Sequence, residues 1–567
     1  MTYPAVSVTY VTKTLPVIDA PWLNFVNQTV NGPGGIQTAA ELSAGVTPTN
    51  YAYAPGDVRR YGALIDGTTD DTAALSRWLS VGGYLFGFPG TTVASSQLSI
   101  TLSGTNIFAY GMTIQAKAST NYEKLLWATG LSNVQIHGLT VDVNQVNRVA
   151  SLTTRSVGIY FDTMTDSKLV DCKAMNAIGY TLISGFGIAM AGTSVRSHVI
   201  NPICENCGIT GKASDGVFLG GTQCSVVNFT SYNCTDTGCA MESSNYSAIR
   251  GGSSYSCGAG WALTNATNND CYGNIVDGVT VYDWSGAVTG GAELGNPLST
   301  STGGLLNSRI SNITMQVNAG VGPCINVVQT GSAITKGMTF SNIRILGTQT
   351  QGMLIAAQDL ILDNVFIQGT ANSVGIQLLT TCARVQIKSP TIQGQFTFGI
   401  YSDTVSNVDI ITPVIVGDST NSTYGIYFAN TATNCRVKLP VISAVTIAAM
   451  GADVGTVPDV VFEDSLTALT YTASMTPNML SAECQVIAAT NGTAFTINAP
   501  VNAVSGHKLE IKIVNTSGGA LGSATWNSVF KMSSWTNPAN GYSRSITFRY
   551  NGTNWVQLSQ TGVDIPN

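Results

Sequence analysis

The chain has 567 residues, only 10% of them charged, with a formal net charge of −6 and 25 lysines and arginines. So few cations exclude the clustered basic footprint that neutralises phosphates, and no nucleic-acid partner is expected. Sixty glycines argue against long helices, and no uninterrupted apolar run reaches the roughly 18 residues of a membrane span, so no membrane insertion is expected.

The first twenty residues, MTYPAVSVTYVTKTLPVIDA, lack the cationic start and apolar stretch of a secretory signal, so export by the general route is not expected. Residues 1–55 as a whole are rich in turn formers and carry short apolar runs. Next comes DVRRYGALIDGTTDDTAALSRWL, residues 57–79, with three aspartates in six positions: Asp66, Asp70 and Asp71. The stretch reads as a helix start. Thr69 or Asp70 can cap the first turn, Asp71 suits the positive end of the dipole, and Ala73, Ala74, Leu75, Trp78 and Leu79 supply an amphipathic face. A calcium loop of EF-hand type fails to match. GGYLFGFPGTT, residues 82–92, follows as a strand with a Gly-Pro-Gly turn.

The middle of the chain repeats. GIYFDTM begins at Gly158, DGVFLGG at Asp215, GCAMESS at Gly238 and GWALTNA at Gly260, with GIQLLTT, GIYSDTV and GIYFANT further on at Gly375, Gly399 and Gly425. Each precedes a short Val/Ile-rich strand. A period of about 20–27 residues with Gly/Asn/Ser turns fits a parallel β-helix better than leucine-rich repeats or propeller blades. Aligned, the repeats give two inward columns: Ile159, Val217, Cys239, Trp261, Ile376, Ile400, Ile426, and Phe161, Leu219, Met241, Leu263, Leu378, Ser402, Phe428. The outward positions are Tyr160, Phe218, Ala240, Ala262, Gln377, Tyr401 and Tyr427, then Asp162, Gly220, Glu242 and Thr264. Twelve cysteines are spread too widely for a disulfide scaffold, and the tight pair Cys204/Cys207 lacks a second pair at zinc spacing. They read as reduced and buried, with Cys207, Cys234 and Cys257 as a stacked interior column. His137, His198 and His507 are scattered. No metal and no cofactor are expected.

Glycosidic cleavage usually needs two carboxylates flanking the bond. Glu242, outward and mid-solenoid, is the best single candidate. Asp215 and Asp236 precede successive glycine strands and can lie one coil apart. Asp162 shares the Glu242 column but several coils away, and Asp283 and Glu293 in VYDWSGAVTGGAELG are held in reserve. Tyr160, Tyr246, Trp284, Tyr401 and Tyr427 can stack on sugar rings. Arg250 and Lys212 lie near enough to keep a lyase open, since lyases use Arg, Lys, His or Tyr as base. Glu242, Asp215 and Asp236 are thus the expected catalytic residues, with Tyr160, Asp162, Tyr246, Arg250 and Trp284 binding substrate.

The stretch 57–100 resembles the opening motif of the pectate-lyase-like superfamily, D-V-x-x-Y-G-A-x-x-D-G-x-x-D-D-T-x-A, departing only in Leu64-Ile65. That family includes bacteriophage tailspikes that degrade bacterial surface polysaccharide. The tail, 495–567, with strands HKLEIKIVN and RSITFRYNG and a hairpin at NGTNW, resembles the β-rich C-terminal modules of tailspikes, which hold trimers together or bind glycans. The resemblance implies an all-β chain: residues 1–55 as a virion-anchor or neck segment, a right-handed parallel β-helix with a short N-terminal capping helix over 56–465, and a C-terminal β-sandwich over 466–567. It further implies a homotrimer in the virion tail, attached to a tail, baseplate or adaptor protein through its N-terminus. Host capsule or lipopolysaccharide would be its partner and substrate, cleaved by hydrolysis. A polysaccharide lyase, a non-catalytic adhesin spike and an exported bacterial pectate-lyase-like enzyme are the alternatives, the last disfavoured by the N-terminus and the C-terminal module.

Overall fold

The computed structural model describes residues 37–567 apart from 182, 286–289, 297–301, 318–321, 330–333, 348–349, 447, 453–459, 464–465 and 480. Among the described residues thirty-six strands join one pairing network, and every strand pair in it is parallel. The chain winds as a right-handed parallel β-helix of three sheets. The first sheet stacks Lys124–Thr129, Val157–Asp162, Gly185–Ala191, Ser214–Leu219, Thr237–Glu242, Ala259–Thr264 and Ala292–Asn296, and continues beyond them. The second runs through Gln135–His137, Lys168–Val170 and His198–Ile200 into the first half of Ser225–Tyr232. The third runs through Thr140–Asp142, Lys173–Met175 and Ile203–Glu205 into its second half.

The repeat alignment is the observed register. Ile159, Ile188, Val217, Cys239, Trp261 and Ala292 are successive partners, as are Phe161, Met190, Leu219, Met241, Leu263 and Leu294. All twelve side chains are buried. The glycine opening each repeat lies near the start of its first-sheet strand, where the coils approach closely. A Cβ on Gly216 would lie 2.5 Å from the Gly238 carbonyl oxygen, and one on Gly238 would lie 2.4 Å from Ser254 Oγ. Between the second and third sheets each coil turns through one left-handed residue. Asn201, Asn228, Asn312, Asn342 and Asn364 all have φ near +50°, which asparagine tolerates better than most residues. Their amides ladder from coil to coil: Asn228 to Asn201 at 3.3 Å, Asn342 to Asn312 at 3.0 Å, Asn364 to Asn342 at 2.9 Å. The twelve cysteines are free and all but Cys484 are buried. Cys207, Cys234 and Cys257 do stack in the interior, with the Cys234 N–H donating to Cys257 Sγ at 3.4 Å.

At the N-terminal end the helix Thr72–Val81 lays Ala74, Leu75, Trp78 and Leu79 over the first coils. The expected caps are corrected here. Asp71 occupies the N-cap position but makes no capping bond. Its carboxylate turns back to accept the N–H groups of Leu64 (2.9 Å) and Ile65 (3.3 Å), closing the preceding loop. Asp66 accepts from Thr68 and Thr69 within the mostly exposed strand Asp66–Asp70, and Asp70 accepts from the Thr72 N–H. None of the three faces a cleft with another catalytic group. Upstream of residue 55, Ala44 and Val46 already pack into the solenoid core. Glu41 is fully buried, gripped by Arg60 at 2.6 and 3.0 Å and by the Tyr61 hydroxyl at 3.0 Å. The part of the expected anchor segment before residue 37 lies outside the described residues.

Beyond the solenoid a second core gathers Met475, Ile487, Phe495, Ile497, Leu509, Ile511, Ile513, Ile546, Phe548 and Trp555 between a seven-stranded and a three-stranded sheet. The hairpin at NGTNW is present, pairing Tyr542–Tyr550 with Trp555–Gln560. The sandwich is not wholly antiparallel. Leu466–Ala468, Cys484–Ala489 and Lys508–Asn515 pair in parallel, as do Ser474–Met475, Phe495–Ile497 and Ala524–Trp526. It starts as stacked coils, and the hairpin carries the sheet on to Phe530–Lys531, which pairs in parallel with Trp555 and Val556.

Candidate active site

The outward face of the first sheet carries an open cleft of about 460 Å³. Register builds it. Along one outward column Trp127, Tyr160, Ala189, Phe218, Ala240, Ala262 and Glu293 are successive partners. Ala240 and Ala262 leave a low floor, while Tyr160, Phe186 and Phe218 raise an aromatic wall at one end, with Phe186 and Phe218 centroids 4.6 Å apart. Arg155 closes that end. Its Nε reaches Glu123 at 2.9 Å, its Nη1 reaches the Ser184 carbonyl at 3.2 Å, and its guanidinium lies 5.0 Å from the Phe186 ring centroid.

Four carboxylates line the cleft: Asp215, Asp236, Glu242 and Glu293. The sequence brought the first three together, and the structure does the same. Asp215 is the second residue of its strand and is 6% exposed, accepting the Thr237 N–H at 2.9 Å. Asp236 lies on the next coil, one position out of register, and accepts the Ser184 hydroxyl at 2.8 Å. Glu242 ends the strand that Asp236 precedes. Electrostatics follow from this crowding. Burial, then the neighbouring charges of Asp236 and Glu242, push the Asp215 carboxyl well above the ordinary range, the Thr237 N–H opposing. Burial and then Asp236 raise Glu242 as well. The same two causes raise Glu293 to about 7. Groups whose proton affinities are spread in this way can act as acid and base within one site.

Glu293, held in reserve from the sequence, belongs to the site. It sits in the Ala240–Ala262 column itself. Gly291-Ala292-Glu293-Leu294 repeats Gly260-Trp261-Ala262-Leu263, but the spacing here is 31 residues instead of 22, and that longer coil hid the match. Gly187-Ile188-Ala189-Met190 escaped for the same reason, and with it Ser184 and Phe186.

The expected substrate residues divide. Tyr160 lines the cleft, and Asp162, the register partner of Ala191, stands at its rim three coils from Glu242. Trp284 is 3% exposed and belongs to the core, because the strand Ile275–Trp284 turns its last residue inward against Gly291. Tyr246 is exposed in a turn over Gly273, and Arg250 lies on the second sheet between Val227 and Asp277. These three do not join the site. Nor do Asp283 and Lys212, the latter lying 5.5 Å from the Tyr180 ring centroid. Tyr401 and Tyr427 pack farther along the same column in a cluster with Phe398 and Tyr424. Among the described residues no three His, Cys, Asp or Glu side chains are grouped to hold a metal ion.

No family model matches the chain, and no curated protein matches it. Among solved structures it is similar to the A-module of a mannuronan C-5 epimerase from Azotobacter vinelandii, at 16% identity and TM-score 0.46, over 68% of this chain and 99% of that one. It is similar to the N-terminal fragment of bacteriophage Phi29 gene product 12, at 13% identity and TM-score 0.44, over 78% and 82% of the two chains. It is also similar to a double mutant of the tailspike of the E. coli bacteriophage HK620 in complex with a pentasaccharide, at 12% identity and TM-score 0.43, over 62% and 75%.

Proposed function

We propose that this chain is a phage tailspike that binds a bacterial surface polysaccharide and cleaves it as a glycoside hydrolase. The observation that carries the reading is the convergence of Asp215, Asp236, Glu242 and Glu293 on one open, aromatic-walled cleft of the solenoid. Glu293, protonated near neutral pH, is the general acid that delivers a proton to the leaving oxygen. Asp236, oriented by Ser184, is the carboxylate that serves as base or nucleophile. Asp215 and Glu242 hold the proton balance between them. Tyr160 and Phe218 offer faces for sugar rings.

The motif at 57–100 supports the tailspike assignment, and with it a homotrimer at the virion tail, joined to a tail protein through its N-terminus. Domain limits of 1–55, 56–465 and 466–567 belong to the same proposal. Hydrolysis is preferred to elimination because the basic side chains expected to serve a lyase, Arg250 and Lys212, stand outside the cleft, and Arg155 is engaged by Glu123. The test is release of reducing ends from bacterial surface polysaccharides by the native chain and by Glu293→Gln and Asp236→Asn. Cleavage lost in both variants supports the reading. Products with a carbon–carbon double bond at the new non-reducing end would replace hydrolysis by elimination.

A further inference from the structure

We infer that the sugar seated over Ala240 and Ala262 carries no acidic group, so that the cleft selects a neutral or N-acetylated sugar and rejects a uronate or a sulfated, phosphorylated or pyruvylated unit. This rests on the reading of the cleft as a glycan site and gives that site its substrate class. Four carboxylates line the cleft, from three of its four successive strands (the Ala262 strand carries none) and the turn before one of them. Among the described residues lining the cleft, Arg155 is the one cation. It is already held by Glu123 at 2.9 Å and lies under the aromatic wall, at the end away from Glu242 and Glu293. The next cation along the column, Lys124, stands over the Trp127 and Tyr160 rings, 5.2 and 4.5 Å from their centroids, one further coil upstream.

A second observation points to a ligand with few charges. Asp215 is 6% exposed, and its backbone partner, the Thr237 N–H, reaches only one of its oxygens. An acidic sugar beside it would bring a further anion into a partly dry, carboxyl-lined pocket whose one cation among the described lining residues, Arg155, is already engaged by Glu123. A neutral sugar instead brings hydroxyl and amide N–H donors, which these acceptor-rich walls match. Rejection of a buried charge that finds no partner is a stronger discriminator than the fit of one more apolar group. The alanine floor leaves room for an equatorial substituent such as an acetamido group without asking for a charge.

The test is an array of bacterial surface glycans, neutral and acidic, probed with the full-length chain and with Ala240→Phe, which fills the floor. Ala262→Phe is the second variant, and only a variant that keeps the native unfolding midpoint is scored. Expected are hits lost by at least tenfold in the variant whose recognised unit is neutral or N-acetylated, changing less than about twofold between low and high salt. Cleft-dependent hits on uronate-bearing or otherwise acidic glycans, weakened tenfold or more when the carboxyl groups are chemically reduced, overturn the inference. So does the absence of any cleft-dependent hit. Reducing-end release from the same hits separates the two readings. Neutral, cleft-dependent binding without cleavage keeps this inference and removes hydrolysis, whereas hydrolysis of acidic hits does the reverse.

Discussion

The backbone N–H of Thr237 donates to the Asp215 carboxylate at 2.9 Å, across one step of the solenoid. That single bond ties two coils together at the cleft and fixes Asp215 relative to Asp236, the residue just before Thr237. Coil register, more than any loop, therefore sets the spacing of the acids.

Asp215 is held as a buried carboxyl with a raised proton affinity, as are Glu242 and Glu293 to a lesser degree. A group raised in the folded state contributes stability that is complete below its unfolded pKa and is lost as pH rises through its folded one. The unfolding midpoint should therefore fall between the ordinary carboxylate range and pH above about 7, the value of Glu293. Asp215→Asn, which keeps an acceptor for Thr237, should flatten that fall and stabilise the chain at neutral pH by on the order of 1–3 kcal/mol. Denaturant titrations of both chains across this pH range check it.

Activity should show an alkaline limb near pH 7, where Glu293 loses its proton. Glu293→Gln should remove that limb and lower kcat by about a hundredfold or more, with KM little changed. A pH–rate profile of native and variant chains reads both effects.

Trp284→Ala and Tyr160→Ala should part company. Trp284 is buried in the core, so its loss should cost about 3–5 kcal/mol of stability while the surviving folded fraction binds glycan normally. Tyr160 is half-buried at the cleft, so its loss should weaken glycan binding with little change in unfolding. Paired denaturation and binding measurements distinguish them.

At the N-terminal end, Glu41 lies under Arg60 and Tyr61 with no exposure. Burial works against its charge, but the bonds from Arg60, the Thr38 N–H and Tyr61 together hold its carboxyl below the ordinary range. Its contribution is present above the unfolded pKa and is lost as pH falls through the folded one. Glu41→Ala should cost about 3–5 kcal/mol, because Arg60 is left charged and buried. Protease sensitivity of the first coils is the readout.

The repeat was legible wherever coils keep a spacing near 22 residues, because inward apolar columns cannot slip by one residue without exposing the core. Gly216, Gly238 and Gly260 marked three strand starts for that reason, and Glu242, Asp215 and Asp236 could be assembled from them. Coils with insertions broke the period, which kept Ala189 and Glu293 out of the columns. Trp284 was misread because strand ends do not announce which way the last side chain turns. Tyr246 and Arg250 were misread because sequence proximity to the site says little in a coil whose three sheets face different directions. The parallel pairs of the C-terminal module were invisible for a related reason: alternation reveals a strand, not the direction of its partner.

The most direct measurement is cleavage and binding of bacterial surface polysaccharide by the native chain and by Glu293→Gln. Release of reducing ends by the native chain, with binding kept and release lost in the variant, is the predicted result. Equal release by both chains, or binding with no release by either, would contradict a catalytic role for the cleft carboxylates.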